Sequence, residues 1–370
     1  MRVMNEFVRL WTRLTCVTAL ACALGACGSS GGTIDKLGQA EGIAIPARRG
    51  TVIVDGCQLD AWQQSTLSDP RTRRVVAEVV LLCAVPRFDG GIGPSDPSAR
   101  AGITRAVASL RGQGYRAKLG VAFTDETGAR YDGQQTLRLL LDGEWRSRAV
   151  TGLAEMGLLA DGLELDLQNL PSEARPTLTT FVRELSTAVR PARELSMWIA
   201  PSVTLPSDLP GGDAFDVTAL AELTDRMHVG TLDFSCCGVP PGPTLDSGWA
   251  VDAVRLARTL APRIPLDVAV PLYGTDFSQL GQRTTSWYEA RALAERHRAR
   301  IDRGATGSPH FGYTDDSGRP HDLWFDDTES TTRVLRAWDT TTLPLDVGVV
   351  FYGLGAEDPT LFPTVAASTP

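Results

Sequence analysis

The chain has 370 residues, 43% of them hydrophobic and 22% charged, with 44 acidic against 36 basic side chains and a net charge of −8. That length and composition suit one large globular unit, and the acidic balance argues against nucleic acid or anionic lipid as partners for its body. The four histidines are scattered and no cysteine pair has zinc-site spacing, so neither a metal nor any other cofactor is expected.

Residues 1–26 read as a targeting segment. Arg2, Arg9 and Arg13 precede a short apolar run at 14–24, too short to span a bilayer. The run ends in Leu24-Gly25-Ala26-Cys27, which resembles a bacterial lipobox and implies cleavage before Cys27 and a lipid on that cysteine. The alternative is an ordinary secretory signal cut at Ala26, which changes the anchor but not the compartment. A flexible tether rich in glycine and serine follows, at 27–48. The expected location is the bacterial cell envelope, with Gly28 pointing to the outer membrane in a Gram-negative host.

From residue 49 to 366 strand and helix signals alternate, which predicts a parallel sheet with helices outside. Strands are expected at 51–54, 79–85, 117–123, 161–168, 195–203, 226–234, 266–274 and 347–352, and a long helical stretch at 134–159. Eight strands in alternation predict an α/β fold, a TIM (β/α)8 barrel. Between the seventh and eighth, residues 275–327 carry the turn Asp315-Asp316-Ser317-Gly318 between aromatic-bearing runs. This predicts a small α+β insertion, built around a hairpin, at the rim. A monomer is expected.

The stretch 161–168 reads Asp-Gly-Leu-Glu-Leu-Asp-Leu-Gln. Its leucines share one strand face, and Glu164, Asp166 and Gln168 share the other. Carboxylates aligned in this way are expensive to bury without partners, so either the face is solvent-exposed or it lines a site.

This octet resembles the Asp-x-x-Asp-x-Asp-x-Glu signature of glycoside hydrolase family 18, with Asp161, Glu164, Asp166 and Gln168 at its four acidic positions. The resemblance continues through Asn169-Leu170-Pro171, similar to the spore-cortex-lytic branch, and through Pro241-Gly242-Pro243 with Trp249. Pro271-Leu272-Tyr273-Gly274, Trp324-Phe325-Asp326-Asp327 and 354–359 complete the series. It implies a cleft for N-acetylglucosamine-containing glycans of chitin or peptidoglycan type. In it a glutamate protonates the glycosidic oxygen, and an aspartate, here Asp166, orients the sugar's acetamido group. Asp233 falls at the strand-six aspartate, and Tyr273 and Trp198 are further binding candidates. Three positions depart from the family: Gln168 replaces the acid, Leu232 the acetamido-binding tyrosine, and Tyr352 the floor tryptophan.

A carboxamide has no proton to give, and general acid catalysis contributes about 10²–10⁴-fold. Three expectations follow: a sugar-binding pseudoenzyme, a glycosidase recruiting Asp125, Asp233 or Asp276 as acid, or a protein-binding scaffold in the envelope. The 7% aromatic content favours a short ligand over a polymer-threading groove. Trp62, Trp145 and Trp338 read as packing residues and His310 and His321 as solvated. Asp267 and Asp346 are expected just before their strands, at the barrel bottom. Cys57 and Cys83 fall on neighbouring strands, which allows a bridge, with Cys236 and Cys237 as competing partners.

Overall fold

A computed structural model describes residues 44–94, 100–125, 130–203 and 211–370. The targeting segment, Cys27 and the tether as far as residue 43 lie outside the described residues, whereas the end of the expected tether is part of the fold: Ile45 is buried, and Arg48 donates to the Trp338 and Leu343 carbonyls at 2.7 Å. Eight parallel strands form the centre: β1 Gly50–Asp55, β2 Val76–Pro86, β3 Arg116–Ala122, β4 Gly162–Asp166, β5 Glu194–Ile199, β6 Arg226–Val229, β7 Leu266–Pro271 and, after an insertion, β13 Gly348–Tyr352. Each pairs with its neighbours in the order β1-β13-β7-β6-β5-β4-β3-β2, and a β1–β2 pairing closes the ring. The fold is a TIM barrel.

Why the chain closes this way is visible on β4. Leu163 and Leu165 are fully buried outward, against the layer that also takes Leu178, Phe181 and Val182 of the helix Arg175–Val189. Glu164 and Asp166 face inward beside Gly120 and Ala122 of β3, and Glu164 beside Ser196 of β5. Alternation of period two therefore puts grease between sheet and helices and polar groups in the lumen.

The helical stretch at 134–159 is two helices, Gly133–Leu141 and Gly143–Gly157, broken at Asp142. The Asp142 carboxylate caps the second helix by accepting from the amides of Glu144 at 2.9 Å and Trp145 at 3.1 Å, a local bond that competes with helix continuation. Trp145 and Trp338 are buried packing residues, and Trp62 donates its indole N–H to Glu357 at 2.8 Å.

Between β7 and β13 stand five antiparallel strands, β8 Gly274–Ser278, β9 Gly281–Thr285, β10 Asp302–Arg303, β11 Pro309–Thr314 and β12 Pro320–Trp324, in the order β9-β8-β12-β11-β10. The helix Trp287–His297 covers one face through Ala290 and Ala294 against Phe311, Leu323 and Phe325. The hairpin at Asp315–Gly318 is thus one corner of a larger sheet. Its histidines are half-buried and partnered rather than freely solvated: His310 stacks on Trp324 at 4.0 Å, and His321 stacks on Tyr313 at 4.5 Å and contacts Asp276 at 2.8 Å.

No disulfide joins Cys57 and Cys83. The Cys57 thiol donates to the Cys83 carbonyl at 3.0 Å instead, while Cys236 and Cys237 are disulfide-bonded to each other.

Candidate active site

The C-terminal mouth of the barrel holds a cavity of about 650 Å³. Its floor is made by the ends of β4, β5 and β13 and the loops after β3 and β6. Asp166, the last residue of β4, is 2% exposed. Gln168, two residues on, donates from Nε2 to Asp166 Oδ1 at 2.9 Å and Oδ2 at 3.2 Å. The Tyr131 hydroxyl donates to Asp166 Oδ2. Burial pushes the Asp166 carboxyl up to about 7, helped by Glu164 and Asp55 and opposed by the bonds from Tyr131 and Gln168.

Tyr352 ends β13 at the cleft, edge-on to Trp198 at 5.4 Å and to Tyr273 at 6.4 Å. Trp198 is 4% exposed, and Gly230 makes room for its ring: a Cβ there would meet Trp198 Nε1 at 2.5 Å. The Tyr273 hydroxyl donates to Asp233 Oδ1 at 2.9 Å, and burial raises both groups above their ordinary values. Asp233 takes a left-handed backbone conformation, φ 56°. Leu232 lines the same cavity and offers no hydrogen bond. Cys237 forms part of the wall, its amide donating to Gln282 Oε1 of β9 at 3.4 Å.

Other acids singled out in the sequence lie elsewhere. Asp161 precedes β4 at the opposite end of the barrel, accepting from Arg111 Nη2 at 2.7 Å and the Ala117 amide at 2.8 Å. The strand has only five residues, so the first acid of the octet falls off its lower end and serves as an anchor rather than a catalytic group. Asp276 is buried within the insertion, accepting from Tyr313 at 2.7 Å and contacting His321 and Arg283. Asp125 is not among the described residues that line the cleft. Among the three alternative acids, only Asp233 does.

Glu164 sits a layer below Asp166. It accepts from the Ser196 hydroxyl and lies 3.2 Å from His228 Nε2, whose Nδ1 lies 3.2 Å from Asp267 Oδ2. Burial lowers the basicity of His228, but Glu164 and Asp267 outweigh it and hold the imidazolium to about 9. Asp267 is inside β7 and fully buried, not ahead of the strand. Burial raises it, yet His228, Arg49 and Arg226 bring it down to about 2. Lower still, Lys118 lies 3.0 Å from Glu78 and 2.6 Å from Glu194, and Arg226 3.0 Å from Glu78. Each buried charge in the lumen therefore has a partner, as the low dielectric demands.

Sequence reasoning missed Tyr131, Lys118, Arg226 and His228. The last three were readable from strand parity, since 226 and 228 alternate with 227 and 229. Tyr131 stands in a loop, placed by its bridge to Thr124 and by Asp132, which caps the next helix through the Gln135 amide at 2.9 Å. Asn169 Nδ2 reaches the Tyr131 carbonyl at 3.4 Å from the loop after β4.

No protein-family model matches the chain. A cortical fragment-lytic enzyme of Bacillus anthracis is 24% identical over 237 residues, 61% of this chain and 55% of that protein. The chain spans about half the length of the curated relatives it matches. The crystal structure of the spore cortex-lytic enzyme SleL from Bacillus cereus superposes with a TM-score of 0.71 at 16% identity, over 94% of this chain and 86% of that one. A GH18 chitinase from Cycas revoluta in complex with (GlcNAc)3 gives 0.62 at 15% identity, over 87% and 99%. Homologues and structural neighbours are thus spore cortex-lytic enzymes and GH18 chitinases.

Those neighbours share the barrel itself, so likeness of fold is established while the chemistry rests on the residues in the cleft.

Proposed function

We propose that this chain is a member of the glycoside hydrolase family 18 lineage that binds N-acetylglucosamine-containing glycans and has lost hydrolysis. The observation that carries the reading is the Gln168 carboxamide, bonded through its N–H to Asp166 where a proton-bearing acid is required. An amide in that place orients but cannot protonate a leaving oxygen. Leu232 removes a second group, a donor to the acetamido oxygen. What remains is a cradle: Tyr131, Gln168, Trp198, Tyr273 and Tyr352 line a cavity sized for a short oligosaccharide, with Asp166 buried and bonded to Tyr131 and Gln168. Similarity to cortical fragment-lytic enzymes and chitinases supports a peptidoglycan- or chitin-type ligand.

The lipobox places this barrel, in our reading, on the cell envelope through acylated Cys27, as residues 49–366 with the insertion at 275–327 and in monomeric form. Calorimetric titration with chitotriose and with a disaccharide peptidoglycan fragment tests the binding. Saturable binding supports the reading, and none by either ligand removes it in favour of a protein-binding scaffold.

A second reading has one observation behind it. Asp233 lines the cleft with a carboxyl raised by burial, the property a substitute general acid needs. Release of product from a chromogenic N-acetylglucosamine oligomer, lost in Asp233→Asn, would establish it.

A further inference from the structure

A disulfide stabilises a fold mainly by closing loops of the unfolded chain, and that contribution grows with the length of chain it closes. The bond between Cys236 and Cys237 joins adjacent residues and closes no such loop, so it is no staple for the barrel. What it does fix, inside a small ring, is one peptide of the cleft wall. The wall loop at 231–244 leaves β6 and returns on itself, the Phe234 amide donating to the Thr244 carbonyl at 2.9 Å. It carries Leu232, Asp233 and Cys237 to the cavity. Cys237 has a left-handed backbone conformation, φ 53°, which a residue with a side chain adopts only where its surroundings impose it. Its amide donates to Gln282 Oε1 at 3.4 Å, and Gln282 Nε2 donates to its sulfur at 3.7 Å, so this residue ties the barrel's loop to β9 of the insertion. The two cysteines differ in access: Cys236 is 2% exposed, whereas Cys237 is half-buried and lines the cavity.

We propose that the Cys236–Cys237 pair is a thiol–disulfide exchange site on the cleft wall, which takes a small dithiol as its reductant and loosens the wall when reduced. A thiolate of the dithiol enters the cleft and attacks the Cys237 sulfur; the S–S bond breaks, and Cys236 leaves as a thiolate that takes up a proton. The second thiol of the reductant then attacks the mixed disulfide, releasing Cys237 as a thiol and leaving the reductant as a disulfide. Two electrons and two protons have passed from the dithiol to the pair. With the ring open, nothing covalent holds Cys237 left-handed, and the Gln282 contacts to its amide and sulfur are released with it. A sugar in the cavity needs the closed wall, so occupancy and reduction oppose each other by equal factors. That coupling rests on the glycan-binding reading above; the exchange and the loosening do not.

The test equilibrates the full chain in mixtures of reduced and oxidised dithiothreitol, with and without chitotriose, then alkylates it in denaturant for mass spectrometry of the cysteine peptides. Cys57 and Cys83 are free and serve as internal controls, alkylated in every sample. Cys236 and Cys237 are expected to stay unmodified without reductant and to be alkylated together once it is added. Saturating chitotriose should raise the reduced-to-oxidised ratio needed for half-reduction about tenfold, and the reduced protein should bind chitotriose about tenfold more weakly by calorimetry. Hydrogen exchange of peptides covering 231–244 reads the wall without a sugar, and is expected to quicken on reduction. Cys236→Ser with Cys237→Ser, checked for its fold by near-UV circular dichroism, should match the reduced protein and ignore dithiothreitol. A pair alkylated without reductant, a pair that resists dithiothreitol in the folded protein, or unchanged exchange at 231–244 overturns the inference. Reduction that leaves chitotriose affinity unchanged also overturns it, while the glycan-binding reading stays intact. Oxidised wild type that binds no chitotriose overturns that reading instead, and alkylation with hydrogen exchange then decides the exchange site alone.

Discussion

Stability should fall as pH rises from acid to alkaline, because two buried lumen groups lose protons in the same sense, Asp166 between about pH 4 and 7 and His228 between about 6.5 and 9. His228 has a folded pKa of about 9 against an ordinary 6.5. A raised value means that folding takes up a proton, so this contribution is fully present below about pH 6.5 and is lost as pH rises through about 9. A shift of this size corresponds to about 3 kcal/mol. Asp166, at about 7 against 3.8, also favours its protonated form. Its contribution is largest below about pH 4 and is lost as pH rises through about 7, with a ceiling of about 4 kcal/mol. Asp267 acts oppositely at the acid end: held at about 2, it stabilises above the ordinary carboxylate range and is lost as pH falls through 2. Urea unfolding of wild type, Asp166→Asn and His228→Gln from pH 4 to 9.5 separates the parts. Asp166→Asn should remove the slope between pH 4 and 7 and keep that between 6.5 and 9. His228→Gln should remove the upper slope and be less stable near pH 6, where Glu164 and Asp267 then lack their cation. A wild-type profile that is flat or rising from pH 6 to 9 would refute the charge assignment.

Two further outcomes are expected. Lys118→Met leaves Glu78 and Glu194 short of a buried cation and should cost about 3–5 kcal/mol by chemical denaturation, whereas Arg300→Met, at an exposed pair with Asp302, should change stability by under about 1 kcal/mol. Cys27→Ala should release the protein from membranes on cell fractionation; retention in the membrane pellet would contradict acylation at that cysteine.

The barrel was legible because strand signals with inward and outward faces recur eight times, and Glu164, Asp166 and Trp198 followed from parity, whereas Gln168 lies past the end of β4 and enters the cleft together with Leu167. Parity also marked what the motif obscured. Asp161 is an odd number of residues from Glu164 and cannot share its face, and it anchors Arg111 at the far end. Tyr131 was not legible, since a loop has no period, and its role depends on a contact with a residue 35 positions away. The insertion showed only its tightest turn, at Asp315–Gly318, because the sheet around it is held by pairings such as Asp276 with Leu323, which no local pattern records. The thiols misled for a related reason: neighbouring strands brought Cys57 to Cys83, but its sulfur meets the backbone carbonyl instead.

The most direct test of the central claim is turnover of short N-acetylglucosamine oligomers by wild type, Gln168→Glu, Leu232→Tyr and the double variant. Restoring the acid beside Asp166 and Glu164 supplies a proton donor in a setting that raises its pKa, and restoring the tyrosine supplies the acetamido donor. Wild type is expected to bind without cleaving, Gln168→Glu alone to cleave weakly or not at all, and the double variant to cleave clearly more. Wild type turning over as fast as the double variant would contradict the account.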